Sequence, residues 1–408
     1  MHNKVELLAP AGNMERLKTA IHFGADAVYI GTTAFSLRNL ADNFTLDEVA
    51  EAVRYAHERG VRVYVTVNAF MRDADLAELP ETIAALDAAH VDALIINDPS
   101  VIRISKRVAP NLALHLSTQA NTLNSEAALF WHEQGIERIV LARELTLAEI
   151  RAMRQKLPET LELEAFVHGA MCVSYSGRCL LSNYISGRDS NRGECSQPCR
   201  WSYEVRERGS GGEYFELVTE RSGSFIMNSK DMCMVEHLDE LISSGIVSLK
   251  IEGRMKSILY VATVVNAYRM ALDGCDMDAV RQELAQVSHR PYTTGFMLGE
   301  PGESFGSELI AAESGGYVQD YQISAVVLDY DPESGIAHVE QRNRFFPGDE
   351  LMILSPKDVG RSFTVGFIRD EDGESMDSAP HPCQRLYIGC GESVKPGDIL
   401  RKRTAKKA

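Results

Sequence analysis

The 408-residue chain lacks long hydrophobic runs and an excess of positive charge. No stretch approaches the ~20 consecutive apolar residues of a membrane-spanning helix, and the opening "MHNKVELLAPAG" does not have the basic-then-apolar order of a secretory signal peptide. We therefore expect a cytoplasmic protein without membrane contact. The 42 basic residues are outnumbered by 58 acidic ones, for a formal net charge of −16. Broad nonspecific binding to nucleic acid is disfavoured, because it requires many neutralised phosphates.

Common nucleotide-binding and metalloprotease motifs are also missing. The sequence contains neither a P-loop nor HExxH, and no GxGxxG follows its first predicted strand. Positive charge is concentrated at the C-terminus, where "RKRTAKKA" carries five basic residues. We interpret this segment as a solubilising tail, with contact to phosphate as the alternative.

Short apolar segments alternate with helical patterns through the first 270 or so residues. For example, the β-branched run "VRVYVTVN" precedes "LAELPETIAALDAAH", whose apolar residues recur at helical spacing. Eight such strands are each followed by a helix or an insertion, which predicts an α/β fold, a (β/α)₈ TIM-like barrel. A doubly wound open sheet is the alternative.

The pattern changes twice along the chain. A long polar and cysteine-rich insertion at 171–232 separates the seventh and eighth predicted strands, and connections of this length are usually functional. Short alternating segments separated by turn residues begin near Gly315 and predict a small all-β domain. We thus expect a barrel over 1–290, a linker over 291–315, and a β-barrel domain with the basic tail over 316–408.

Polar residues recur where the predicted barrel strands end. Active sites of such barrels lie at the C-terminal ends of the strands, and arginines converging there with Lys250 suit an anionic substrate. A carboxylate or a histidine at the same place is a candidate acid or base. The candidate catalytic residues are His168, Glu252 and Arg254, and the candidate substrate-binding residues are Arg38, Asn68, Asp98, Gln119, Asn121, Arg143 and Glu144.

Five cysteines lie within or just past the insertion. The gaps between them are six, 15, three and 33 residues, for Cys172, Cys179, Cys195, Cys199 and Cys233. Clustered cysteines in a cytosolic protein favour metal binding or catalysis over disulfides. Only Cys195 and Cys199 have zinc-knuckle spacing, so the wide spacing favours an iron–sulfur cluster, with zinc, thiol chemistry and purely structural cysteines as alternatives. We place Cys233 in the helix before the eighth strand.

Several long motifs resemble one protein family. The segments "ELLAPAG", "GADAVYIG", "HLSTQANTLN", "NSKDMC" and "SLKIEGRMKS" are similar to the collagenase-like peptidase family U32, as is "FVHGAMCVSYSGRCLLSNYISGRDSNRGECSQPCRW". Within that family the resemblance is to the branch of tRNA 5-hydroxyuridine modification proteins. It extends into the C-terminal domain through "HPCQRLYIGCGESVKPGDILRK".

This resemblance implies a tRNA-modifying enzyme that hydroxylates the wobble uridine of the anticodon loop without molecular oxygen. It implies dependence on prephenate, a dicarboxylate cosubstrate, and a [4Fe–4S] cluster on Cys172, Cys179, Cys195 and Cys233, with Cys199 as the alternative fourth ligand. Whether the protein acts with a partner protein or as a homo-oligomer stays open. A collagenase-like peptidase is the alternative function, and a non-catalytic binding protein with structural zinc is a third.

Overall fold

The computed structural model describes residues 5–37, 42–172, 174–175, 178–201, 228–299 and 320–404. The chain divides into two compact units. The first comprises Met1–Leu17, Asp26–Met255 and His289–Tyr317, and the second comprises Lys18–Ala25, Lys256–Ser288 and Val318–Ala408. The second unit therefore includes segments from within the range predicted for the barrel, and the predicted domain boundaries remain a prediction.

The first unit contains a closed parallel barrel. Its sheet has ten strands: β1 Glu6–Pro10, β2 Ala27–Gly31, β3 Arg62–Val67, β4 Ala93–Ile96, β5 Ala113–Leu116, β6 Arg138–Val140, β7 Glu162–Ala170, β8 Asp231–Cys233, β9 Ser248–Ile251 and β10 Tyr292–Thr293. Strands β1 to β7 pair in sequence order, and β9 closes the barrel by pairing in parallel with both β1 and β7. The predicted (β/α)₈ barrel is confirmed, and the open-sheet alternative is wrong.

Ten α-helices are described: α1 Met14–His22, α2 Leu46–His57, α3 Leu79–Ala88, α4 Pro99–Val108, α5 Ser125–Glu133, α6 Leu147–Arg154, α7 Leu181–Ser186, α8 Leu238–Ser243, α9 Ile258–Leu272 and α10 Met277–Leu284. Capping boxes start α2 and α6, where Thr45 and Thr146 each accept a bond from the backbone N–H of a glutamate three residues on. No helix in the described ranges has the length and apolar character needed to cross a membrane.

Strand β7 extends past the barrel rim and alters the predicted position of Cys233. Residues His168, Gly169 and Ala170 pair antiparallel with Cys233, Met232 and Asp231 of β8. The predicted helical position of Cys233 is therefore wrong: the extension of β7 gives this segment a backbone partner, which favours a strand. Arg290 fixes β8 further, since its guanidinium bonds Asp231 Oδ1 at 2.6 and 3.1 Å.

The C-terminal residues form an antiparallel sheet. Its strands are β11 Tyr321–Asp331, β12 Ile336–Gln341, β13 Glu350–Leu354, β14 Ser362–Thr364, β15 Ile368–Arg369, β16 Arg385–Gly389 and β17 Ile399–Arg403, in the spatial order β14-β13-β17-β11-β12-β16-β15. The predicted all-β region is confirmed. One predicted strand, "SFTVGFIRD", is divided into β14 and β15, and Gly366 between them bonds Gly389 instead.

Charged side chains fill part of the barrel interior. Arg138 is 3% exposed, and its guanidinium contacts Glu6 at 2.6 Å and Glu164 at 3.3 Å. Tyr64 donates to Glu6 at 2.7 Å, and Lys250 donates to Glu164 at 2.8 Å. Each buried carboxylate thus has a cationic partner, as buried charges require.

We expect Arg138→Met to lower the free energy of unfolding by about 3–5 kcal/mol, because it removes a buried cation that is shared by two buried carboxylates. Urea unfolding followed by circular dichroism measures the change. Arg281→Met is the matched control, since its ion pair with Asp278 is exposed and such pairs contribute about 1 kcal/mol or less. Equal losses in the two variants would contradict a stabilising role for the interior network.

Candidate functional site

A cavity of about 190 Å³ lies at the C-terminal ends of the barrel strands, beneath the cysteine loop, which we define as residues 171–201. The barrel contributes Tyr29, Thr66, Asn68, Ser117, Gln119, Arg143, Phe166, Lys250, Glu252 and Arg254, and the loop contributes Cys172, Ser174, Cys179, Ser190, Asn191, Cys195, Cys199 and Arg200. Polar strand ends therefore meet the loop thiols in one place.

Arg254 is buried in the cavity wall and oriented by two hydroxyl groups. Its guanidinium donates to Thr66 Oγ1 at 2.8 Å and to Ser36 Oγ at 2.7 Å. Glycine is required beside it, because a Cβ on Gly31 would lie 2.1 Å from Arg254 Nη1. Arg254 is predictable from its position after a strand end, whereas the two hydroxyls were not predicted, because they belong to no motif.

Lys250 forms part of the cavity floor and is held from below by the interior network. Its ammonium group donates to Glu164 at 2.8 Å and lies 4.7 Å from the ring centre of Tyr29. Burial favours protonation of Glu164, but Lys250 and Arg138 outweigh it and keep the pKa of this carboxyl below its ordinary value. Lys250 therefore faces an ionised partner.

The opposite wall carries an amide pair. Asn68 Nδ2 lies 3.2 Å from Ser117 Oγ and 3.5 Å from Gln119 Oε1, while its Oδ1 accepts the backbone N–H of Leu37 at 3.3 Å. Ser117 also donates to Gln119 Oε1. These bonds fix amide donors and acceptors beside the cavity, an arrangement that can read the polar edge of a base.

Arg143 connects the barrel to the cysteine loop. Its guanidinium donates to the carbonyl of Ala170 at 2.8 Å and reaches Cys172 Sγ at 3.8 Å. Its carbon Cζ lies 5.0 Å from the ring centre of Phe166. A cation is thus fixed at the point where β7 leads into the loop.

Of the other predicted site residues that the structure describes, none is among those lining the cavity. Asp98 caps α4 by accepting the backbone N–H of Ser100 at 2.9 Å and also accepts from Met71. Asn121 adopts a left-handed conformation with φ 53°, and Glu144 lies half-buried beyond β6. Arg38 lies outside the described residues.

His168 is buried on another side of β7. A register shift between Phe166 and His168 places this histidine opposite Ile251 rather than Glu252. Its ring centre lies 5.4 Å from that of Tyr292. The bulge therefore directs His168 away from the cavity that Glu252 lines.

Four of the five candidate cysteines share the cavity. Burial raises the pKa of the Cys199 thiol, and the neighbouring Cys172, Cys195 and Cys179 raise it further. Cys233 is not among the lining residues; it pairs with His168 and contributes to the raised pKa of Tyr292. The structure thus groups Cys199 with the other three.

The donor set can be compared with the requirements of a metal group. The described residues contain no group of three or more His, Cys, Asp or Glu side chains placed to hold a metal ion. Four thiols nevertheless line one cavity, and thiolates are the donors that iron–sulfur clusters require. Arg192 anchors the loop that carries them through bonds of 2.7 and 3.0 Å to Asp75.

We expect Gly31→Ala to lower the free energy of unfolding by about 1–3 kcal/mol, because the added methyl displaces the guanidinium of Arg254 in a packed interior. Urea unfolding measures the change. Gly391→Ala is the matched control, since its Cβ would meet nothing within 4 Å. Unchanged stability of Gly31→Ala would contradict the close packing of Arg254.

Comparison with known proteins gives matches along nearly the whole chain. A model of peptidase family U32 matches residues 12–305, and a model of its C-terminal domain matches residues 319–401. The chain is 42% identical over 410 residues to tRNA hydroxylation protein P1 of Bacillus subtilis, covering 98% of this chain and 95% of that protein.

Two further relatives have different names. Identity is 38% over 286 residues with the 23S rRNA 5-hydroxycytidine synthase of Escherichia coli, covering 70% of this chain and 42% of that protein. Identity is 31% over 423 residues with a collagenase of Porphyromonas gingivalis, covering 98% of this chain and 97% of that protein. Since the two family models together span most of the sequence, the protein belongs to peptidase family U32.

Proposed function

We propose that this protein hydroxylates carbon 5 of the wobble uridine in the anticodon loop of tRNA, with prephenate as cosubstrate and a [4Fe–4S] cluster as cofactor. The observation that carries the proposal is the convergence of four loop thiols, three arginines and Lys250 on one small cavity. Relatives named for tRNA hydroxylation and for rRNA 5-hydroxycytidine synthesis support an RNA-hydroxylating activity in general. Both names describe modification of RNA.

The cationic side chains can bind an anionic cosubstrate. Arg143 and Arg254 carry permanent charge, and Lys250 is held by an ionised Glu164 at the floor. Guanidinium groups bind carboxylates through paired hydrogen bonds, so we assign the carboxylates of prephenate to this side of the cavity.

The amide wall can bind the polar edge of the target base. Asn68 and Gln119 present donors and acceptors at positions set by their bonds to Leu37 and Ser117. Enzymes that act on a nucleobase draw it out of the stack and bind its polar edge in a pocket. We assign the uracil edge to this wall, with Tyr29 and Phe166 bordering the same cavity.

The loop thiols are the proposed ligands of the cluster. We propose Cys172, Cys179 and Cys195 as ligands with Cys199 as the fourth, in place of Cys233, because Cys199 shares their cavity. When bound, the cluster supplies redox chemistry at the cavity. The chain's own part is to hold the two substrates beside it and to limit access of water.

Purification without oxygen tests this ligand set. We expect the wild-type protein to show the broad visible absorbance of iron–thiolate charge transfer and to contain iron and sulfide. Cys199→Ser should lose most of the visible absorbance and of the bound iron and sulfide, whereas Cys233→Ser, the matched control, should retain all three. The opposite result would return the fourth position to Cys233, and a colourless wild-type protein containing zinc would exclude the cluster.

Analysis of tRNA nucleosides tests the reaction. In a bacterium deleted for its own tRNA uridine hydroxylases, expression of this protein should restore 5-hydroxyuridine derivatives, detected by mass spectrometry. Lys250→Met should restore less than about 1% of that level, because it removes the cation at the cavity floor and one of the two cationic partners of the buried Glu164. Absence of these nucleosides with the soluble wild-type protein would contradict the proposed reaction.

A collagenase-like peptidase remains the second candidate because of the relative with that name. The chain has a GxSxG sequence, "GESFG" at 302–306, which lies outside the described residues. His168, the histidine closest in sequence to the loop thiols, has its ring against Tyr292 rather than in the cavity. Cleavage of gelatin by the purified protein, abolished by Ser304→Ala, would favour this alternative.

A further inference from the structure

The cysteine loop bears an exposed aromatic and basic surface outside the cavity. Five of the 12 large hydrophobic side chains exposed among the described residues lie between 175 and 201. Three are aromatic: Tyr184 is 82% exposed, Tyr175 56% and Trp201 44%. Exposed hydrophobic side chains concentrated in one short segment indicate an interaction site.

Arginines alternate with these aromatics along the loop. Arg178 and Arg188 are exposed, and Arg200 reaches the cavity lining. Residues 171–201 contain four arginines against one aspartate and one glutamate, in a chain of net charge −16. Both acidic side chains already have partners. The Asp189 carboxylate lies 3.6 Å from the guanidinium of Arg72, and the Glu194 carboxylate accepts the backbone N–H of Asp189. The loop is therefore locally positive.

Hydrogen bonds within the loop hold its short helix in place. Ser196 Oγ lies 3.0 Å from Ser182 Oγ and 2.7 Å from Ser186 Oγ, which joins α7 to the segment between Cys195 and Cys199. Arg192 ties the same loop to the barrel through Asp75. A surface fixed before binding loses less conformational entropy on binding.

We propose that this aromatic–arginine face, defined as Tyr175, Arg178, Tyr184, Arg188 and Trp201, binds the unpaired nucleotides that flank the target base in an RNA loop. The inference rests on the proposed RNA-modifying function and specifies the RNA structure it requires. Aromatic faces stack on bases of any sequence, and arginines contact the adjoining phosphates. A fully paired stem offers no free base for stacking, so the face selects single-stranded loops.

Fluorescence anisotropy with two labelled RNAs tests the proposal: a hairpin with uridine in its loop, and a duplex of the same stem. The wild-type protein should prefer the hairpin. Tyr184→Ala should weaken hairpin binding by about 5- to 150-fold, the range for loss of one stacked base. Phe130→Ala is the matched control, since Phe130 is 54% exposed on α5, outside the loop, and should change affinity less than about twofold.

The arginines have a separate readout. A plot of log affinity against log salt concentration has a negative slope. Replacing both Arg178 and Arg188 by alanine should make this slope shallower by about 0.7 per lost phosphate contact. Circular dichroism and visible absorbance establish that each variant is folded and loaded.

Two results would overturn the assignment of this face. They are equal wild-type binding of hairpin and duplex, or unchanged hairpin affinity in Tyr184→Ala. Those results leave the proposed reaction intact if 5-hydroxyuridine still forms. By contrast, a wild-type protein that binds neither RNA and forms no 5-hydroxyuridine contradicts the proposed function itself.

Discussion

The ionised carboxylate of Glu164 connects the stability of the barrel to the chemistry of its mouth. This fully buried side chain accepts bonds from Lys250 and Arg138, at 2.8 and 3.3 Å. A buried carboxylate persists only with such partners, so the cation at the cavity floor and the cation in the barrel interior are held by one group. The position of Lys250 at the cavity floor therefore follows from an interaction that the fold itself requires.

Above that floor, the site is assembled from strand ends and one long loop. Gly31 leaves room for Arg254, whose guanidinium is oriented by Thr66 and Ser36. Arg143 and Arg192 join the loop to the barrel through Ala170 and Asp75. The thiols are thus fixed relative to the cationic and amide walls. A rigid barrel with a functional loop at its C-terminal face is the general arrangement of this fold.

Much of this architecture is predictable from sequence, because each barrel strand is buried on both faces and each helix carries a periodic apolar stripe. Strand ends also identified Asn68, Arg143, Glu252 and Arg254 as residues that meet in one cavity. Long-range pairing was not predictable. The bulge in β7 keeps the His168 side chain out of the cavity that Glu252 lines, and the extension of the same strand draws Cys233 into β8. Asp98 follows a strand end, where a substrate-binding residue is expected, yet its carboxylate accepts the backbone N–H of Ser100 and caps a helix.

The proposed reaction depends on the barrel, its charged cavity and the cysteine loop together, and a defined extract tests that reaction directly. Purified protein, prepared without oxygen, is added to extract from a strain lacking tRNA uridine hydroxylases, together with unmodified tRNA and with or without prephenate. Mass spectrometry of the anticodon-loop fragment follows the wobble uridine. The account predicts a gain of one oxygen atom only when both protein and prephenate are present. An unchanged uridine in the complete mixture, with a protein that carries its cluster, would contradict it.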